Sequence, residues 1–331
     1  MRRIHIAGTG IAVPAQAVTS EQLDQRLGLA PGASYKATGV RRRFLSTTET
    51  AAQLAAQACN DALCAAGLGW QDIDCLVAAS ATMDQALPYN AAMIHAELGL
   101  SALRTTSLDI NASCLSFLAA LDTISYPLAH GRYRNVVIVS ADIAAFGIDW
   151  NNLTECGLFG DGAAAVVIRR ASDQEPSAIL ASNLVTLSGG ADLCKIPAGG
   201  SRFHPRRDLR QDFAPLTVFH MHGKPVFKLM AEELPGFTQA LLESAGLSMK
   251  DIAVVVPHQA SQLALSHLSR RLAIAPEQLI DIFQDYGNQV GASLPTALHV
   301  GLSSGRIRRG DPVLLIGTGA GLTIGGMVLR A

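Results

Sequence analysis

Two stretches far apart in the chain are versions of one pattern. Residues 64–77 read C-A-A-G-L-G-W-Q-D-I-D-C-L-V, and residues 243–256 read E-S-A-G-L-S-M-K-D-I-A-V-V-V. Each ends a helical run at A-G-L, turns through a D-I pair and enters an apolar strand. G-R-Y-R-N-V-V-I-V-S at 131–140 is echoed by G-R-I-R-R-G-D-P-V-L-L-I-G at 305–317. F-G-D-G-A-A-A-V-V-I-R-R at 159–170 is echoed, more weakly, by G-L-T-I-G-G-M-V-L-R at 321–330. The matches occur in the same order at similar separations, which predicts an internal duplication. Chance likeness of apolar strands is the competing explanation, and the shared A-G-L…D-I core weighs against it. Strands alternating with long helices in each half predict an α/β fold with helix-covered sheets. The polar stretch A-S-D-Q-E-P-S at 171–177 interrupts the pattern, which places the halves at residues 1–175 and 176–331.

At 331 residues the chain can bury a sizeable core, and 49% of it is apolar. Its 26 basic and 27 acidic residues almost cancel, which argues against a nucleic-acid binder or a polybasic membrane anchor. The opening M-R-R-I-H-I-A-G-T-G reads as a first strand rather than a signal peptide, and no apolar run is long enough to span a bilayer. The six cysteines form no C-x-x-C pair and no metal-type spacing with the nine histidines. Cys59, Cys64 and Cys75 read as core residues. Free thiols and a cytoplasmic location are therefore expected.

Residues 3–13 predict a strand, and Ser20 to Leu27 a short helix capped by Thr19. Pro31-Gly32 marks a loop, and Thr38-Gly39-Val40-Arg41 a tight turn. Further helices are expected over Thr47 to Ala66 and over 88–98, the latter opened by Pro88. Buried strands are expected over Ile73 to Ala79 and Asn135 to Ser140. The Gly/Pro/Arg-rich segment Gly199 to Pro215 reads as a mobile loop or the lip of a substrate tunnel.

Candidate chemistry gathers at three stretches. In S-L-D-I-N-A-S-C-L-S-F-L-A-A-L (107–121), a short β-type run gives way to small polar residues, and Cys114 opens a helical segment. Leu115, Leu118, Ala119 and Leu121 are spaced to share one helix face. Asn111 and Ser113 are capping residue types. A thiol at a helix N-terminus can have a lowered pKa and act as a nucleophile. A small buried core cysteine is the equally weighted alternative. V-V-V-P-H-Q-A-S (254–261) places His258 just after a buried strand, where open α/β sheets bind ligands. D-Y-G-N-Q-V-G-A-S-L-P (285–295) places Asn288 in a glycine-flanked turn. Taken singly, each of these last two reads as a structural residue. Together the three supply a nucleophile and two neutral hydrogen-bonding groups, a set suited to acyl transfer through a thioester. The glycine-rich I-G-T-G-A-G-L-T (316–323) can bring backbone N–H donors to the sulfur.

These motifs, with I-A-G-T-G-I-A-V-P, T-G-V-R-R-R and F-G-D-G-A-A-A, have an order and spacing that resemble the condensing enzymes of the thiolase fold over nearly the full chain. The resemblance is to the β-ketoacyl-[acyl carrier protein] synthase III group in particular. It implies a duplicated five-layer α/β/α/β/α fold assembled as a homodimer, with no metal or redox cofactor. By the same resemblance, Cys114 takes an acyl group from an acyl-CoA or acyl-carrier-protein donor, with the backbone N–H groups of Cys114 and Ala320 as oxyanion hole. A malonyl thioester then decarboxylates to an enolate, with His258 and Asn288 donating to its oxygen, and condensation gives a β-ketoacyl product. The resemblance also implies substrate-pocket positions at Phe227, Thr318 and Leu87, the last reaching into the partner's pocket. Lys228, Arg270 and Arg271 are candidates for docking an acidic carrier protein or a phosphopantetheine phosphate, against the plainer reading of a solvated charged face.

Departures from the family pattern bear on the donor. The aromatic residue that stacks on the CoA adenine falls at Ala33, its arginine partner at Leu153, and the tunnel-mouth arginine at Leu263. Alanine and leucine replace neither stacking nor phosphate pairing. Weak or altered CoA binding follows as an expectation, with a carrier-protein donor of the kind used in specialised metabolism. Two alternatives remain at this point: acyl transfer to an oxygen or nitrogen acceptor or non-decarboxylative condensation, and a catalytically silent subunit of a condensing heterodimer. Retention of Cys114, His258 and Asn288 weighs against the silent subunit.

Overall fold

The first strand and the alanine-rich helix are made for each other. In Ile4–Ala12, a Cβ on Gly8 would lie 2.3 Å from the Ala62 carbonyl oxygen, and one on Gly10 would lie 2.4 Å from that of Ala58. Glycine there lets the strand rest directly on the helix Ala51–Ala66. That helix starts four residues later than the predicted Thr47. Thr50 takes the N-cap in a capping box with Gln53, and the Asp84 carboxylate accepts from the Ala51 and Ala52 N–H groups at 2.8 and 2.9 Å. Thr19 likewise caps Ser20–Leu27 in a capping box with Gln22.

A computed structural model of the chain describes residues 1–207 and 212–331. Among these the first sheet has the order Ile4–Ala12, Gly162–Arg170, Asn135–Asp142, Cys75–Ala78, Thr106–Asp109. The last three run parallel, and the first two pairings are antiparallel. The second sheet has the order Ala178–Thr186, Thr323–Arg330, Pro312–Gly319, Val254–Pro257. Its pairings are antiparallel, antiparallel and parallel. A parallel bridge from Val255 to Leu279 then stands where the fifth strand of the first sheet stands. The two sheets repeat one topology.

Helices Ser116–Ala129 and Ser293–Ser303 fill the space between the sheets, where Leu118 and Leu294 pack with Val77 and Ile138 on one side and Val256 and Leu315 on the other. Ala51–Ala66 and Asn90–Glu97 cover the outer face of the first sheet, and Gly223–Ser244 and Gln262–Leu272 that of the second. The result is the expected α/β/α/β/α layering.

Position in these layers corrects three local expectations. The Ser116–Ala129 helix shows no single apolar face; Leu115, Phe117, Leu118, Ala120 and Leu121 are all fully buried, because sheets lie on both sides. Cys64 is exposed, unlike Cys59 and Cys75, because it falls on the solvent side of a one-faced outer helix. The 88–98 helix spans Asn90–Glu97, and its first amides are held by Asp109 at 2.8 Å rather than opened by Pro88. Of the Gly199–Pro215 segment, residues 208–211 lie outside the described residues. The flanks of that segment, Lys195 and Ile196 before it and Phe219 and Met221 after it, line the cavity described next, whereas its described members do not.

Candidate active site

The Ser116–Ala129 helix begins two residues after Cys114, with Leu115 as N-cap and no side-chain cap. Asn111 instead accepts from the Ser113 N–H at 2.9 Å, and Ser116 Oγ accepts from the Ala112 N–H at 2.9 Å. Cys114 therefore sits on a tight turn ahead of the helix rather than in its first turn. Ser113 carries φ 54°, a left-handed conformation unusual for a side chain other than glycine. The shift of the thiol pKa runs opposite to the lowering that a helix N-terminus can give. Burial pushes Cys114 up to about 12, aided by the Asp142 carboxylate and opposed by the N–H groups of Ala320 and Cys114 itself. Desolvation of the thiolate is the largest of these causes.

Those opposing N–H groups mark the sulfur's surroundings. Ala320 lies in the turn joining Pro312–Gly319 to Thr323–Arg330. The strand entering that turn is glycine-rich because it passes close to its neighbours. A Cβ on Gly317 would lie 2.7 Å from His258 Cβ, and one on Gly319 would lie 3.2 Å from the Ala112 carbonyl oxygen.

His258 follows Val254–Pro257, three residues before the Ser261 cap of the next helix. Its backbone N–H donates to Ile316 at 2.8 Å, the side chain is buried, and burial alone lowers its pKa to about 4. The ring is neutral at physiological pH, with Nδ1 buried and without a protein partner among the described residues. Asn288 is fixed from both sides of the fold. Its N–H donates to Leu158 at 2.8 Å, and its carbonyl accepts from Gly160 at 3.1 Å. Its side-chain oxygen accepts from Val290 at 2.9 Å, which leaves Nδ2, 3.3 Å from the Ala260 carbonyl, as the outward donor. A Cβ on Gly160 would lie 2.2 Å from the Tyr286 carbonyl oxygen, so F-G-D-G can bridge to the Asn288 turn only with glycine there.

Cys114, His258, Asn288, Phe227, Thr318 and Ala320 all line one cavity of about 730 Å³. Leu87 does not line it; this side chain is 82% exposed on the surface. Lys228, Arg270 and Arg271 are exposed on the outer faces of the two helices that wall the cavity, and they do not line it either. Ala33 and Leu153 lie away from the cavity wall, while Leu263 is on its rim, 64% exposed.

Two buried carboxyls went unread in the sequence. Asp142 ends the Asn135–Asp142 strand and accepts from Ala81 N–H, Thr82 N–H and Thr82 Oγ1 at 2.9, 2.7 and 3.0 Å. Asp161, within F-G-D-G, accepts from the Ser46, Ala144 and Ala145 N–H groups at 2.8, 2.7 and 3.1 Å. Burial raises both to about 6 against those hydrogen bonds. The available signal was a carboxylate at the end of an apolar run, a costly placement unless it organises the loops around it.

A duplicated five-layer α/β fold with a thiol, an imidazole and a carboxamide converging on one apolar cavity defines a condensing enzyme of the thiolase fold. Residues 108–188 match the family model described as 3-oxoacyl-[acyl-carrier-protein (ACP)] synthase III, and residues 242–331 match the model of its C-terminal part. β-Ketoacyl-[acyl-carrier-protein] synthase III of Gloeobacter violaceus is 34% identical over 331 residues, covering 100% of this chain and 99% of that protein. The crystal structure of 3-oxoacyl-[acyl-carrier-protein] synthase III from Aquifex aeolicus superposes with a TM-score of 0.88 at 30% identity, covering 99% and 100% of the two chains. A priming β-ketosynthase from a polyketide biosynthetic pathway superposes with the same TM-score at 27% identity, covering 99% and 97%. The chain belongs to the 3-oxoacyl-[acyl-carrier-protein] synthase III family.

Proposed function

We propose that this enzyme loads an acyl group onto Cys114 and condenses it with a malonyl thioester, releasing a β-ketoacyl thioester. The observation that carries the reading is the convergence of Cys114, His258, Asn288 and the Ala320 turn on one cavity.

In the first half-reaction Cys114 Sγ forms a bond to the donor carbonyl carbon, and the donor thiol leaves with a proton. The oxyanion formed in passing is matched by the N–H groups of Ala320 and Cys114, which already face the sulfur. Burial raises Cys114 and lowers His258 for the same reason. In the second half-reaction the malonyl carboxylate leaves as CO2, and its bonding electrons become an enolate. Neutral His258 and the Asn288 carboxamide are donors to that developing oxygen charge, and neither stabilises the departing carboxylate as a cation would. The enolate carbon attacks the acyl-Cys114 carbonyl, and the sulfur is released.

The homodimer belongs to the same reading. Its support is Leu87, a large apolar side chain 82% exposed on a loop that does not line the active-site cavity of its own chain. The division at 175/176 is supported by the repeated strand order of the two sheets. The donor is read as an acyl carrier protein in preference to free CoA, because Ala33, Leu153 and Leu263 offer no ring or guanidinium to a nucleotide. Lys228, Arg270 and Arg271 form the basic face offered to the carrier.

The test is single-turnover acylation with paired acyl-CoA and acyl-carrier-protein donors, followed by malonyl-carrier protein. Discharge of the adduct with release of CO2 supports condensation. Discharge to an alcohol or amine acceptor without CO2 would move the function to simple acyl transfer. Saturation by acyl-CoA as readily as by the carrier-bound donor would remove the carrier preference.

A further inference from the structure

The cavity meets solvent along an apolar rim. Ile196, Met221 and Leu263 line it and are exposed. Among the described residues, Lys195 is the one lysine, arginine or carboxylate side chain on the lining. Its ammonium donates to Asp192 at 2.9 Å in an exposed pair. A two-residue ladder sets Lys195 opposite His220 and Cys194 opposite Met221. Just beyond it, the Ala198 N–H donates to the Leu216 carbonyl at 2.8 Å and closes the stem of a loop over 199–215. That loop therefore springs from the cavity rim.

The loop holds four arginines against two aspartates and no lysine, in a chain whose formal net charge is -1. Arg202, Arg206 and Arg207 are all exposed, and none of the three is in an ion pair with another described residue. Arg207 donates to the Ser201 and Arg202 carbonyls at 3.4 and 3.3 Å, and the Arg202 guanidinium lies 5.4 Å from the centre of the Phe203 ring. These contacts shape the loop and leave its charge uncompensated. The Asp192 carboxyl is held below its ordinary value by its hydrogen bond to Lys195, with a smaller push from Arg202. Arg202 thus acts on the same patch of rim as Lys195. A guanidinium is a planar fork that pairs with carboxylates and phosphates two bonds at a time. The rim position where the family pattern has an arginine is Leu263, so the cations nearest the opening stand on this loop. Lys228, Arg270 and Arg271 lie instead on the outer faces of the wall helices.

We propose that Arg202, Arg206 and Arg207 are the docking surface for an acidic protein that carries its acyl group on a flexible thioester arm. A partner that must pass one arm to Cys114 has to be held beside the opening, and the loop stands there. The inference rests on the carrier-donor reading and moves the main docking charge from the two helices to the loop.

The experiment measures kcat and KM for Cys114 acylation by intact-protein mass at low salt. The donors are octanoyl-pantetheine and the octanoylated carrier proteins of the same organism. Wild type is compared with the triple variants Arg202→Glu/Arg206→Glu/Arg207→Glu and Lys228→Glu/Arg270→Glu/Arg271→Glu. Octanoyl-pantetheine bears no protein, so its unchanged acylation in the loop variant shows that the variant is folded and that Cys114 is competent. With the carrier donor, the loop variant is expected to lose about tenfold or more in kcat/KM, through KM rather than kcat. Its difference from wild type is expected to close as salt is raised. Carriers with acidic surface residues changed to lysine are expected to restore part of the rate to the loop variant and not to wild type. An equal loss with both donors, no loss with the carrier, or a loss confined to the helix variant overturns the proposal and leaves the acyl-Cys114 reading standing. Wild type acylated by octanoyl-pantetheine and by no carrier does the same. Binding to phosphatidylglycerol vesicles that the loop variant loses, with carrier kinetics unchanged, assigns the loop to a lipid surface instead. Absence of any adduct on wild type overturns both the proposal and the acyl-Cys114 reading.

Discussion

Cys114 is a thiol held in its protonated form by burial, with two backbone N–H groups facing the sulfur. Its reactivity with a neutral alkylating agent such as iodoacetamide, which relies on the thiolate fraction, is therefore expected to climb close to tenfold per pH unit from pH 7 to 10, with no plateau. A plateau near pH 7 would show a thiolate already formed. His258, lowered to about 4, stays neutral across this range and adds no inflection between pH 5 and 8. The sign for stability follows. Between about pH 4 and the unfolded value near 6.5, the unfolded chain binds a proton that folded His258 does not, so its contribution is present above that window and is lost as pH falls through it. Asp142 and Asp161, both raised to about 6, act in the opposite sense: the folded state holds their protons to higher pH, and their contribution is lost as pH rises through 6. Replacing His258 or Asn288 by alanine is expected to spare acylation and slow malonyl decarboxylation by about 10²–10³ for each donor removed. A uniform loss in both half-reactions would instead assign them to binding.

At the scale of elements, close approach of backbone to backbone explains where the glycines fall. Gly160→Ala would place a methyl 2.2 Å from the Tyr286 carbonyl oxygen and push apart the bridge that fixes Asn288. A stability loss of about 1–3 kcal/mol in urea unfolding, with condensation impaired more than acylation, is the expected outcome; unchanged condensation would show that the bridge does not position Asn288. The same scale shows what the sequence could reveal. The A-G-L…D-I repeat, the strands after it and the Thr19 cap are local patterns, and local patterns were legible. The turn under Cys114 was not, because Ser116 and Asn111 satisfy backbone groups that capping rules assign to the helix itself. Nor was the full burial of Phe117 and Ala120 legible, since a helix between two sheets has no solvent face, and nothing local announces the second sheet. Cys64 was misread for the converse reason: an outer helix has a solvent side, and alanine-rich runs do not show which side that is.

At the scale of the molecule, the duplication places the nucleophile in the first half and its two hydrogen-bonding partners in the second, so the site exists only where the halves meet. Among the described residues, no helix is long and apolar enough to cross a membrane. If the exposed Leu87 loop seats in a second copy, Leu87→Asp is expected to weaken the dimer in light-scattering chromatography and to lower acylation, although the residue does not line the active-site cavity of its own chain. An unchanged mass and rate would remove the loop from the assembly. Both proposed half-reactions pass through a covalent acyl-Cys114 intermediate. The measurement that tests it most directly is intact-protein mass after incubation with acyl-carrier-protein and acyl-CoA donors, wild type against Cys114→Ala, before and after malonyl-carrier protein. The predicted result is a single acyl adduct on the wild type only, discharged by the malonyl thioester. An adduct that persists in Cys114→Ala, or no adduct from any donor, would contradict it.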